Sequence, residues 1–448
     1  MTTTNTGTRS HNSMMSDLYK VLKYVSTSLL VKMINSAYLN ENPATRASSH
    51  YTPEQPQLDE KFNVHEFTHV HSPKENIDYV PLKAINLAKF KEGTDSESVA
   101  SRKSLAEELN VSLRTYGFFF VINHGIDEET FERINAIGQA LHSVPEEEKI
   151  KFRSAGLTSD EDTAGEGAER GGGYKPLKYW GMANGVRDNI SFFNYTYPVQ
   201  DELHQRLPEL AATYLNEVRN YFRYIHHNVL KKLTILCDII LELPEGSIFD
   251  EYFRVYQGNL KDSGSGFGRL MDYFGQTQEQ NKLTDNTWLR GHSDSTAFTF
   301  IASQPMASLQ VRDYNTGKWG YVAHVPNALV VNVGDGIEFL TGGYFRSTIH
   351  RVVNPPPSQE NHIRQSIIYF CKTKSTAIID PEALNSPYLH RLGISSPPEW
   401  ERITYGDWDV EKGRLFGKSK VNNLSGDAPA PAYIRGRAAE RWVPTLKT

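Results

Sequence analysis

The chain has 448 residues, 39% hydrophobic and 23% charged, which is ample apolar material for a large globular core. Its net charge is −5 with a pI near 6.3, so no basic field points to nucleic acid or an anionic membrane surface as a partner. The only cysteines, Cys237 and Cys371, sit far apart in apolar runs, which excludes thiolate zinc folds and suits a reducing, cytoplasmic setting.

From Asp17 to Leu39 the apolar residues Leu18, Val21, Leu22, Val25, Leu29 and Met33 share one helical face. Lys20, Lys23 and Lys32 interrupt that run, so the segment reads as a docking amphipathic helix rather than a signal or membrane span. A proline-punctuated polar connection follows, up to about Lys74. It contains His65-Glu66-Phe67-Thr68-His69, which formally matches the zinc-protease pattern. That chemistry needs both histidines on one helix face, and a proline-flanked polar stretch is poorly suited to such a helix.

Beyond it, the segment DYVPLKAINLAKF predicts a short strand and a turn. Helical spacing of Leu105, Leu109 and Leu113 follows, then a buried strand in FFFVINHGI. A second helix begins after Asp127, a good N-cap with glutamates in its first turn. The segment AGEGAERGGGY lacks the lysine of a phosphate loop and reads as a flap, with Tyr174 and Trp180 beside it as pocket walls. Lys175 and Lys178 there read as solvated loop charges. Residues 202–241 read as one long helical region that buttresses a sheet.

From Phe267 the pattern changes to short strands: FTFIAS, SLQVRD, YVAHV, ALVVNVG, STIHRVV and RQSIIYF, with a hairpin turn at Asn315-Thr316-Gly317. Many short strands in one block imply a sandwich or jelly roll. The resulting division is an N-terminal extension (1–76), a mixed α/β region (77–245), a jelly-roll core (246–375) and a C-terminal wrapping segment or lid (376–448). The fold class that follows is α+β.

His292 and Asp294, in RGHSDSTAFTF, are separated by one residue and therefore face the same side of an extended segment. His350, in STIHRVV, supplies a third ligand from another strand. Two histidines and one carboxylate on one face of a metal are the facial arrangement of non-haem iron(II) oxygenases. Arg364 and Ser366 alternate on the next strand, offering a guanidinium fork and a hydroxyl to a carboxylate. His124, His324 and His362 read as structural or surface histidines.

These segments, with YGFFFVINHGI, GRLMDYF, LQVRDYNTGKW and VVNVGDGIEFLTGG, resemble the isopenicillin N synthase-like branch of the 2-oxoglutarate/Fe(II)-dependent dioxygenases in content and order. The resemblance implies a double-stranded β-helix with a helical N-terminal half packed on it. It implies His292, Asp294 and His350 as ligands of Fe(II), and Arg364, Ser366 and Tyr273 as the grip on the distal carboxylate of 2-oxoglutarate. With dioxygen as the other co-substrate, the implied activity is hydroxylation, desaturation or ring formation on a small organic metabolite. Asp272 and Phe274 depart from the family's usual residues around Tyr273. Two other readings stay open at this point: an iron oxidase that needs no 2-oxoglutarate, and a non-catalytic ligand-binding relative.

Overall fold

Alternation along Ser265–Tyr273 and Arg364–Lys372 gives these strands one face for a cavity and one for a helical layer. The computed structural model describes residues 64–154, 171–201, 205–418, 432–439 and 441–442. The amphipathic stretch Asp17–Leu39 and residues 155–170 of the glycine-rich segment lie outside the described residues. Gly173–Lys175, at that segment's end, is a strand rather than part of a flap.

The chain begins with β1 (Ala84–Asn86), α1 (Ser96–Thr115), β2 (Phe118–Ile122) and α2 (Glu128–His142). Asp127 caps α2 as its sequence promised, its side chain accepting from the Thr130 amide. Then come β3 (Gly173–Lys175), β4 (Ile190–Thr196), α3 (Leu215–Tyr224) and α4 (Lys231–Leu241). The remaining strands are β5 (Ser265–Tyr273), β6 (Thr287–His292), β7 (Phe298–Ala302), β8 (Leu309–Arg312), β9 (Trp319–Tyr321) and β10 (Leu329–Val333). Helix α5 (Asp335–Leu340), β11 (His350–Val353), β12 (Arg364–Lys372) and α6 (Tyr405–Lys418) follow, with short β13 (Tyr433–Ile434), β14 (Arg437–Ala438) and β15 (Arg441–Trp442) in the tail.

Two main sheets form the jelly-roll core expected from the strand block, and β13 pairs with β14 separately. The larger runs β1-β2-β10-β7-β12-β5-β4-β3, and the smaller β15-β6-β11-β8-β9. Strand β12 shows how the large sheet serves both faces. Arg364, Ser366, Ile368 and Phe370 face the cavity. Gln365, on the opposite face, donates to the Asn135 carbonyl of α2 at 2.9 Å. The helix comes so close that a Cβ on Gly138 would lie 2.0 Å from Gln365 Nε2, so a larger residue there would displace that side chain.

Two sequence expectations are corrected. The helical region expected over 202–241 begins at Glu209, breaks at Tyr214, and is π-helical over Ile225–Leu230. Within that π stretch His226 is enclosed between the Tyr369 hydroxyl and the Phe253 carbonyl, both at 2.8 Å. The strand expected at YVAHV lies instead at Trp319–Tyr321, where Tyr321 exchanges backbone bonds with Asp78 and Val80 at 2.9 and 2.8 Å. The described residues beyond Lys372 form helices and short strands, and β15 adds to the small sheet beside β6.

No helix among the described residues is long and apolar enough to cross a membrane. Both cysteines are free and buried.

His226 and His124 are locked in the neutral state. His226 Nε2–H donates to the Phe253 carbonyl and Nδ1 accepts from Tyr369. His124 donates to the Asn327 carbonyl and accepts from the Ile126 amide. Burial lowers His226 to about 3 and His124 to about 4. The unfolded chain takes up these protons near pH 6.5, so stability is full above that value and falls as pH drops below it. Each ring is expected to account for a loss of about 2 kcal/mol by pH 5. Urea unfolding at pH 7 and pH 5 measures this, and an unchanged unfolding free energy would rule it out.

Candidate metal centre and cavity

His292 ends β6 and His350 opens β11, and the antiparallel register sets the two directly opposite each other. Their ring centroids are 4.5 Å apart. Asp294 follows two residues later, and its Oδ1 lies 3.6 Å from His292 Nε2 and 3.8 Å from His350 Nε2. One ligand atom from each of the three falls within 4.8 Å of the others, the one metal-capable cluster found among the described residues.

The surroundings fix which atoms converge. His292 Nδ1–H donates to the Arg290 carbonyl at 2.8 Å, and His350 Nδ1–H donates to the Thr348 carbonyl at 3.1 Å. Both imidazoles therefore present an Nε2 lone pair. Asp294 Oδ2 accepts from Thr299 Oγ1 at 2.7 Å and Asn332 Nδ2 at 2.9 Å, which leaves Oδ1 for the histidines. Burial works against ionising Asp294, whereas these two hydrogen bonds favour its carboxylate form. Burial takes His292 down to about 3, so it is neutral at physiological pH. Two imidazole nitrogens beside a carboxylate oxygen form a donor set suited to a divalent cation.

A cavity of about 220 Å³ opens beside this cluster between the two sheets. Arg364 stands opposite Tyr273 in the β12–β5 register, its guanidinium 4.8 Å from the ring centroid. Its buried Nε has no partner among the described residues, an orphaned donor that a carboxylate would satisfy. Ser366, on the same face, accepts from Gln304 Nε2 at 3.3 Å. The structure thus brings His292, Asp294, His350, Arg364, Ser366 and Tyr273 to one cavity. The other histidine readings hold, with His324 Nδ1 3.0 Å from Ser303 Oγ and His69 Nε2 2.7 Å from Glu132 in a segment without helix.

Several functional side chains escaped the sequence reading. Thr299 and Asn332 orient Asp294, and each was visible only as a polar residue inside an apolar strand. Arg269 lines the cavity from β5. From α6, Lys412 donates to the Ser293 carbonyl at 2.9 Å and to its hydroxyl at 2.8 Å, and also pairs with Asp335. Asp409 accepts from Ser295 Oγ at 2.8 Å and Lys372 at 2.7 Å. No local pattern ties residues 409 and 412 to a loop more than a hundred positions earlier.

Comparison with known proteins agrees with this geometry. Residues 270–373 match the family model described as 2OG-Fe(II) oxygenase superfamily, and residues 80–208 match the non-haem dioxygenase in morphine synthesis N-terminal model. Leucoanthocyanidin dioxygenase of Malus domestica is 26% identical over 64% of this chain and 72% of its own length. The 1-aminocyclopropane-1-carboxylate oxidase of Dictyostelium mucoroides is 24% identical over 81% of this chain and 99% of its own. Among solved structures, a full-length Neurospora crassa protein in complex with alpha-KG superposes with a TM-score of 0.58. At 19% identity, covering 74% of this chain and 95% of that one, it speaks to a shared fold.

One wall of the cavity corrects the sequence reading. Lys175 is buried on β3, donating to both carboxylate oxygens of Asp188 at 2.7 and 2.8 Å and to the Ile190 carbonyl at 2.5 Å. Asp188 in turn accepts from the Trp180 amide at 2.6 Å, and Lys175 Nζ lies 4.3 Å from the Trp180 ring centroid. The pair therefore sets the position of Trp180, which lines the cavity, whereas Tyr174 points away to Glu146. Lys178 is exposed, as expected of it. Burial lowers Lys175 to about 8, with Asp188 opposing that shift. Asp188→Ala should cost about 3–5 kcal/mol by stranding a buried ammonium. The double change Lys175→Met with Asp188→Leu should recover most of that loss in denaturant titrations. A cost below about 1 kcal/mol for Asp188→Ala would show that the pair is not buried in this way.

Proposed function

This chain belongs to the 2-oxoglutarate/Fe(II)-dependent dioxygenases, and from that premise we propose that His292, Asp294 and His350 hold the iron while Arg364, Ser366 and Tyr273 hold the distal carboxylate of 2-oxoglutarate. As an oxidoreductase of this family it couples oxidative decarboxylation of 2-oxoglutarate to oxidation of an organic molecule. Fe(II) and 2-oxoglutarate, when bound, supply the activation of dioxygen.

The observation that carries the assignment is the convergence of two Nε2 lone pairs and Asp294 Oδ1 at one end of a cavity whose other end has a buried guanidinium with an orphaned donor. The chain's own part is positional. Two backbone carbonyls hold the imidazoles in the metal-binding tautomer. Thr299 and Asn332 occupy the second carboxylate oxygen, so Asp294 offers a single donor and leaves room for a chelating co-substrate. Arg364 presents a rigid fork to the far carboxylate, and Ser366 adds a hydroxyl beside it. Leu289, Ile301, Leu309, Val352 and Ile368 give the cavity apolar walls that exclude water and hold a C–H bond near the metal.

We assign the substrate to small organic metabolites on the scale of the cavity, with a place in secondary metabolism. The cytoplasm is the compartment in keeping with two buried free thiols. Within the segment expected to wrap or cover the core, α6 holds the metal-binding loop through Lys412 and Asp409.

The deciding experiment loads the protein with Fe(II) and 2-oxoglutarate without oxygen, records the visible charge-transfer band, then admits air and measures succinate. His350→Ala should abolish both the band and the succinate. Arg364→Leu should keep metal binding but raise the 2-oxoglutarate requirement roughly tenfold or more, as expected for loss of a charged hydrogen-bond partner. Wild-type rates of succinate formation in His350→Ala would overturn the ligand assignment.

A further inference from the structure

The cations lining the cavity are not alike in how they are satisfied. Lys412 is paired with Asp335, and Arg364 stands opposite Tyr273. Arg269 has no carboxylate partner among the described residues. Its Nε donates to Asn194 Oδ1 at 2.8 Å, and its guanidinium lies 3.7 Å from the Phe192 ring centroid, 4.8 Å from Phe370 and 5.1 Å from Phe267. Three aromatic rings surround the guanidinium, which lines the cavity with four N–H donors beyond the one given to Asn194.

Strand register locates this charge. Arg269, Met271 and Tyr273 line the cavity from one face of β5, so Arg269 stands four residues, or about 13 Å, along the strand from Tyr273 and its partner Arg364. Arg269 is opposite Ile368, two residues from Phe370, and Phe370 is paired with Thr299, which donates to Asp294. The cavity therefore has one arginine at its far end and another near the level of the metal ligands.

Charge completes the argument. The dipositive metal and Arg364 together balance Asp294 and the 2-oxoglutarate dianion. Arg269 then remains as one uncompensated positive charge in a water-poor site, and such a charge calls for an anion. Among the described residues the only carboxylate lining the cavity is Asp294, already committed to Thr299, Asn332 and the two histidines. We propose that Arg269 binds the carboxylate of the molecule to be oxidised, and that this substrate is an organic monocarboxylate with an apolar body. This rests on the reading that Arg364 serves the co-substrate. Phe370 and Trp180 are the aromatic walls on the anion's side of the cavity, Phe192 packs on the guanidinium, and Ile301, Ile368 and Leu289 receive the apolar part.

The test uses benzoate as a minimal aromatic monocarboxylate and benzamide as its neutral counterpart. Each is titrated calorimetrically, without oxygen, into the full-length protein saturated with Fe(II) and 2-oxoglutarate, and the visible band is recorded in the same samples. Benzoate is expected to bind roughly tenfold or more tightly than benzamide. Arg269→Met should erase that preference and Arg269→Lys retain part of it, with the band and 2-oxoglutarate affinity unchanged. Equal binding of the two ligands to wild type, or no binding of benzoate, overturns the proposal without recourse to a variant. Loss of 2-oxoglutarate affinity in Arg269→Met also overturns it, because that arginine would then serve the co-substrate. A missing band in wild type would instead strike the underlying co-substrate reading, and the benzoate preference would still report on Arg269 separately.

Discussion

The arrangement depends on how Asp294 is held. Its carboxylate is buried between two sheets, where an unpaired negative charge is costly. The large sheet meets that cost from one side, with Thr299 on β7 and Asn332 on β10 donating to Oδ2. The small sheet faces Oδ1 with the ends of β6 and β11, which carry His292 and His350. Asp294 is thus a point of registration between the sheets as well as a ligand. Moving either sheet by one residue would turn the relevant side chains to the opposite face.

The same constraint explains the close backbone packing nearby. The Asp335 amide donates to the Asp294 carbonyl at 2.9 Å, drawing the start of α5 against the loop. Gly334, between β10 and that helix, would place a Cβ 2.1 Å from the Thr296 carbonyl oxygen. Its φ of −106° is ordinary, so glycine is required there by space and not by backbone angle. Lining residues and structural residues then divide by strand parity. On β12 the even-numbered positions from Arg364 to Phe370 make the cavity wall, and the odd-numbered ones pack on the helical layer. A chain organised in this way can vary its cavity chemistry at alternate positions while leaving the sheet's other face alone.

That parity is also why so much of the centre was legible. His292 and Asp294 are two apart, as are Arg364 and Ser366, and period two is a local property of an extended chain. His350 required a strand to fold back, but the strand block itself announced that. What failed were features set by distant partners. Lys175 looked like a loop charge because nothing near it in sequence says that it is enclosed by Asp188, Trp180 and the Ile190 carbonyl. Arg269 stood in a segment already singled out, GRLMDYF, but its isolation from any carboxylate exists only in three dimensions. The π-helical turn around His226 was hidden for a related reason: helical periodicity continues through it, and only Tyr369 and Phe253 make the extra residue worthwhile.

The tail shows the same principle acting on the most important loop. Residues 293–296 lie between β6 and β7 and so pass from one sheet to the other, outside either strand. A loop carrying a ligand must nevertheless be held to within a fraction of an ångström for its donors to converge. Helix α6 supplies what the sheets cannot. Lys412 binds the carbonyl and hydroxyl of Ser293, and Asp409 accepts from Ser295, so the residues on both sides of Asp294 are fixed from one helix face. Asp335 and Lys372 balance that lysine and aspartate, so the latch itself adds no unpaired charge to the interior. Meanwhile β15 takes up the backbone of β6 at Gly291 and His292. Chain that follows the last core strand therefore completes the geometry that the core strands begin, and the ligand loop cannot be understood from the jelly roll alone.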